Sequence, residues 1–144
     1  MFKVYSFPET QLNISHDSVG STNFDGLGVD SVQVNMSGDR ATNEVAADGG
    51  VMINKIIDRR GTIAITLQQT SPVHAFLMRL FNYLNSQVTP TSDFALTKVY
   101  INNPQLGDII NATGVAFQKL PDKPYQAQGQ KITWNLLAAD ITQS

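Results

Sequence analysis

The feature that most constrains the fold is a strict alternation of polar and apolar residues. In Thr62-Ile63-Ala64-Ile65-Thr66-Leu67-Gln68 every second side chain is a large aliphatic. Strand side chains point to opposite faces with period two, so Ile63, Ile65 and Leu67 are expected in a core, with Thr62, Thr66 and Gln68 on a wet face. The same period runs through residues 11–15, 32–36 and 130–140, where Ile132, Trp134 and Leu136 oppose Lys131, Thr133 and Asn135. Residues 94–102 and 109–119 are further strand candidates. The expected fold is mainly β, with about six or seven strands in two packed antiparallel sheets, as a sandwich or a partly closed barrel.

One segment breaks the pattern. Val73, Phe76, Leu77, Leu80, Phe81 and Leu84 fall on one face of a 3.6-residue period, which predicts a flanking helix over about 72–86. Ser71 stands where an N-cap belongs, and Pro72 suits the first helical position. His74, Arg79 and Asn82 occupy the polar side. Residues 20–28 read as a turn-rich connection and 37–50 as the longest loop. Asn102-Asn103-Pro104 and Pro121-Asp122-Lys123-Pro124 mark turns. The 144 residues fit one domain, 1–144, with a long protruding loop or hairpin over about 38–60.

Chemistry is scarce. The chain contains no cysteine, so disulfides and thiolate metal sites are excluded. Of the two histidines, His16 and His74, neither has a partner at metal-ligand spacing, and both are expected to be exposed and structural. No serine sits in a Gly-x-Ser-x-Gly setting. Asp25-Gly26-Leu27-Gly28 lacks the third glycine and the helix of a dinucleotide loop, and Asp48-Gly49-Gly50 lacks the lysine of a phosphate loop. The acids from Asp39 to Asp48 miss the calcium-loop pattern, because Gly50 stands where the terminal Glu belongs. The expectation is no enzyme, no cofactor and no metal. The net charge of −2 gives no global field to attract nucleic acid. Residues 1–50 hold seven acids against Lys3 and Arg40, and 51–144 hold five acids against eight bases; this is either chance or a charge match between subunits. No apolar run reaches the roughly 18 residues of a membrane span, and the N-terminus shows no signal-peptide pattern. Assembly in the cytoplasm, with no membrane anchor, is expected.

Two neighbouring segments stand out. Asp58-Arg59-Arg60-Gly61 is the densest charge cluster, read either as a solvated hairpin tip or as a docking contact. Before it, Ala46-Ala47-Asp48-Gly49-Gly50 leads into Val51-Met52-Ile53-Asn54-Lys55-Ile56-Ile57. Such an apolar run is costly to leave in water. It is either a strand paired within the domain or a hairpin arm that packs on a neighbour.

Asn43-Glu44-Val45-Ala46-Ala47-Asp48-Gly49-Gly50, then residues 58–72 ending Gln69-Thr70-Ser71-Pro72, then the amphipathic helix, resemble the tail-tube proteins of contractile-tailed bacteriophages. The resemblance implies two packed sheets flanked by a helix, hexameric rings whose strands join into a channel-lining barrel, and stacking of rings into a tube. Its implied partners are other copies of itself, a tail sheath, a baseplate and a tail terminator, with viral DNA passing through without sequence-specific binding. The implied location is the virion. Contractile bacteriocins and type VI tubes share the fold. Carried onto this sequence, the contact residues are Asp39, Arg40, Glu44, Asp48, Met52, Ile53 and Lys55 of the arm, with Asp58, Arg59 and Arg60 at its base. Gln33, Asn35, Thr62, Ala64, Thr66 and Gln68 are candidates for the lumen, and none is positively charged. A connector or terminator, or a small ligand-binding β-sandwich with exposed aromatics, are the competing readings.

Overall fold

A computed structural model of the chain describes residues 10–24, 28–86 and 97–144. Met1 to Glu9, Asp25 to Leu27 and the start of the strand expected at 94–102 lie outside them. The strands are β1 (Gln11–His16), β2 (Gly20–Asn23), β3 (Val29–Met36), β4 (Ala41–Val45), β5 (Val51–Lys55), β6 (Gly61–Gln68), β7 (Lys98–Asn103), β8 (Asp108–Phe117) and β9 (Lys131–Gln143), with helix α1 (Val73–Asn85) after β6. Seven strands form one antiparallel sheet in the order β2-β1-β7-β8-β9-β6-β3, and β4 and β5 pair only with each other.

The sheet is a curled half-barrel, so the two expected layers are halves of one continuous ladder. Chain length demands the curl. Laid flat, β2 and β3 would stand about 29 Å apart across six strand spacings. Six peptide units from Asn23 to Val29 reach at most about 21 Å. The bend shows at Gly114, which has φ 64°. Ala112 and Val115, three apart, both point into the core, and Ala138 and Ile141 do the same on β9. The strict pleat is therefore reset where the sheet turns. A Cβ on Gly114 would come within 2.9 Å of the Ala139 Cβ. Because of the curl, Val32 and Val34 of edge strand β3 line one cavity with Ile101 and Ile110 of β7 and β8.

Alternation decides the core. Ile63, Ile65 and Leu67 are fully buried, as are Trp134 and Leu136 on the adjacent strand. Helix α1 covers this face with Val73, Phe76, Leu77, Leu80 and Leu84. Phe81 is half-buried, edge-on to Phe117 at 5.7 Å. The helix starts at Val73 with Pro72 in the cap position, one residue later than expected, although Pro72 already has helical dihedrals and the Ser71 Oγ accepts the N–H of Val73 at 3.3 Å.

Both histidines differ from expectation. His16 is 2% exposed, because it continues the inward series Leu12, Ile14, His16, and its ring lies edge-on to Tyr83. His74 is half-buried. Its Nδ1 accepts the Trp134 indole N–H at 3.0 Å, so its Nε2 carries the proton donated to the Gln68 carbonyl at 2.9 Å. That bond gives the buried indole the partner its N–H requires.

Candidate assembly surfaces

The segment 41–55 is a hairpin arm that stands apart from the seven-stranded sheet. Its turn follows from sequence. The Asp48 carboxylate accepts the Gly50 N–H at 3.0 Å, Ala46 N–H donates to the Gly50 carbonyl at 2.7 Å, and Gly49 takes φ 87°. The ladder pairs Val45 with Val51, Asn43 with Ile53, and Ala41 with Lys55. Residues opposite one another share a face, so Val45, Val51 and Ile53 lie on one face with Ala41 and Asn43, and Lys55 ends that face at the root. Val45, Val51 and Ile53 are 73%, 62% and 71% exposed. Glu44 and Met52 lie on the other face; Glu44 and the turn residue Asp48 are exposed near the tip. Of the run 51–57, residues 51–55 pair with 41–45 within the chain, in a hairpin separate from the seven-stranded sheet.

The base of the arm is tied to the sheet by backbone and charge. Ile56 N–H donates to Arg40 O at 2.8 Å, and Ser37 N–H to Arg60 O at 3.0 Å. Arg60 grips Asp58 with two side-chain bonds, both 3.0 Å, and its own N–H adds a third at 3.1 Å. These bonds hold the Asp58 carboxyl down from its ordinary 3.8 to about 2. Gly38 leaves the space that carboxylate fills. Arg59 pairs with Asp140 on β9 at 2.9 Å. The two arginines singled out as docking groups are therefore both engaged within the chain. Among the described residues, no ion pair is made by Arg40 or Lys55, which line a cleft with Arg59, Ile56 and Ile57. Asp39 is exposed beside them.

The face of the sheet opposite the core is rich in amides and hydroxyls. Register aligns Gln33 with Ala64 and Asn135, Asn35 with Thr62 and Leu137, and Ser31 with Thr66 and Thr133. Gln68 lies opposite Lys131 at the end of this face. All six residues singled out for a lumen thus share one face. Thr66 and Thr133 hydroxyls bond at 3.1 Å, and Gln33 donates to Asn35 at 3.3 Å. Tyr100 and Leu137 interrupt it at 36% and 42% exposure. Lys131 is neutralised by Asp30 at 3.0 Å, while Lys98 adds a positive charge. The outer ladder edges are β2 and β3.

Among the described residues no group of three His, Asp or Glu is placed to hold a metal, and no helix is long and apolar enough to cross a membrane. Sequence reasoning had not separated Arg40 and Lys55 from the other charges, because ion pairing depends on contacts such as Arg59–Asp140 across 81 positions.

The family model for the bacteriophage PhiTE tail tube protein matches residues 2–144. No curated protein matches the chain in sequence. Among solved structures, the chain is similar to one from the sheath-tube complex of an extracellular contractile injection system, PVC, in its extended state. The TM-score is 0.60 at 12% identity, covering 98% of this chain and 91% of that one. A chain of the tube-terminating cap of the anti-feeding prophage aligns at TM-score 0.59 and 9% identity, covering 100% and 93%. A chain from the PVC sheath/tube terminator aligns at TM-score 0.58 and 11% identity, covering 100% and 98%.

Proposed function

The chain belongs to the bacteriophage PhiTE tail tube protein family, and from that premise we propose that it self-assembles into stacked hexameric rings forming the inner conduit of a contractile tail. The single observation that carries assembly is the arm, whose apolar residues Val45, Val51 and Ile53 find no cover among the described residues. Apolar surface of this kind is stabilised by a partner. Each ring joins the β2 edge of one copy to the β3 edge of the next, which removes exposed ladder edges. The amide and hydroxyl face then lines the lumen. A wall mainly of neutral dipoles, with Lys131 paired to Asp30 and Lys98 as its added cation, wets the channel and offers phosphates few charges, so viral DNA passes through without sequence-specific binding. The helix side faces outward to the sheath, and the tube ends meet a baseplate and a terminator. Assembly takes place in the host cytoplasm, and the finished tube is part of the virion.

A second reading has support in the likeness to a tube-terminating cap, since the half-barrel serves both kinds of part. A cap forms one ring and stops, whereas a tube subunit continues. A contractile bacteriocin or type VI particle would use the same assembly with different cargo. The test is negative-stain electron microscopy of the purified protein, with and without a baseplate-like nucleator. Hollow tubes of stacked rings are expected. Single rings that never stack would favour the cap, and a monomer at high concentration even with a nucleator would overturn self-assembly.

A further inference from the structure

The arm is electrically polarised along its length. Its tip carries Glu44 and Asp48 with no base between them and the turn. Its root carries Arg40 and Lys55, cations without an ion-pair partner among the described residues, in a cleft shared with Ile56, Ile57 and Arg59. Exposed Asp39 directly precedes Arg40 in sequence, and Arg40 also feels the Asp58 charge, so the root is basic by a smaller margin than its cations alone give. Tip and cleft match in two respects. The tip offers carboxylates beside exposed Val45 and Val51, and the cleft offers cations beside exposed Ile56 and Ile57. The tip cannot reach its own cleft. Lys55 lies four residues down the ladder from Val51, about 13 Å at strand rise, in a hairpin that holds the two ends apart.

We infer that the acidic arm tip of one copy seats in the Arg40–Lys55 cleft at the root of a neighbouring copy's arm. This rests on the self-assembly reading and adds the pairing that fixes its register. A contact between different patches on identical chains continues from copy to copy, so it propagates order instead of ending in a dimer. The apolar faces supply attraction without direction, and the charges select one alignment among those the flat face would allow. The Asp58–Arg60 and Arg59–Asp140 pairs have a different part here. They stiffen the root and leave Arg40 and Lys55 as the cations available to the tip.

The test is charge swapping in the full chain, with thermal unfolding to verify that each variant folds. All four side chains are exposed, so the core should be unchanged. Asp48 also holds the turn through the Gly50 N–H, so E44K alone, which keeps that bond, should shift assembly in the same direction as the double tip variant. A tip variant, E44K/D48K, and a root variant, R40E/K55E, should each need roughly tenfold or more protein to assemble. The fourfold variant E44K/D48K/R40E/K55E restores opposite charges and should assemble within about threefold of wild type. An equal mixture of the tip and root variants should also recover. Assembly of both double variants at the wild-type concentration, or a fourfold variant no better than either double, would overturn the tip-to-root pairing while wild-type tubes left self-assembly standing. A wild type that forms no rings even with a nucleator would overturn both.

Discussion

Replacing Val45, Val51 and Ile53 together with threonine should weaken assembly by orders of magnitude and leave the single chain almost untouched. Burying a Val or Ile side chain completely contributes about 1.5–3 kcal/mol. These three are 73%, 62% and 71% exposed, so most of that contribution is still to be gained when a partner covers them. The remaining gain is about 1–2 kcal/mol for each, or about 3–6 kcal/mol for the face of one arm. Threonine forfeits most of this and adds a hydroxyl that must be desolvated. At about 1.4 kcal/mol per decade, the concentration required for assembly should rise at least roughly 100-fold. Threonine keeps the β-branched shape, so the ladder from Ala41 to Lys55 should persist. Among the described residues β4 and β5 pair only with each other and are exposed, so the melting temperature of the monomer should move by less than about 2 °C. Sedimentation against concentration reads the first quantity and thermal unfolding the second. Assembly at the wild-type concentration would refute the claim that this face carries the contact. A fall in melting temperature beyond about 5 °C would show that the arm packs on its own chain.

Two further predictions concern the root of the arm. Gly61 is buried, and an added Cβ would collide with Ile141 and lie 2.6 Å from the Asn35 carbonyl. Gly61→Ala should therefore cost about 1–3 kcal/mol and lower the melting temperature by roughly 4–10 °C. Gly129→Ala, where a Cβ meets nothing within 4 Å, should leave it unchanged in the same calorimetric scan. Asp58 titrates near 2 when folded against 3.8 ordinarily, so its carboxylate favours the folded chain at every pH above that interval. The contribution is lost as pH falls from about 4 to 2. The stability difference between wild type and Asp58→Asn should be present at pH 6 and shrink through that window. A difference independent of pH would sink the assignment.

Legibility in the sequence followed burial. Strands β6 and β9 and helix α1 were readable because each divides its residues between a core and a wet face, and the period records that division. Strand β2, Gly-Ser-Thr-Asn, and strand β4, Ala-Thr-Asn-Glu-Val, were read as turn and loop. Neither buries a face: β2 is an edge, and all of β4 is exposed. The burial of His16 was within reach, since it extends the Leu12, Ile14 series by one step. The Trp134–His74 bond was not, because it joins elements 60 residues apart. The reset at Gly114 was hidden for a related reason. Residues 109–119 read as one strand, whereas the inward positions shift phase at the bend.

The arm obeys neither outcome, and that is informative. Its second strand is apolar but has no buried residue, while its first supplies the polar partners that keep the ladder formed. Within one chain, an apolar segment without a core face is a local choice that conflicts with the global fold. The conflict disappears when the core that face belongs to is built from several copies. The sequence then needs no period relative to its own sheet, only one apolar side on a self-supporting hairpin, and the Val45–Val51 pair with Ile53 provides it. On the proposed self-assembly, strands that look wrong for the monomer in this way mark where the folding unit is larger than the chain.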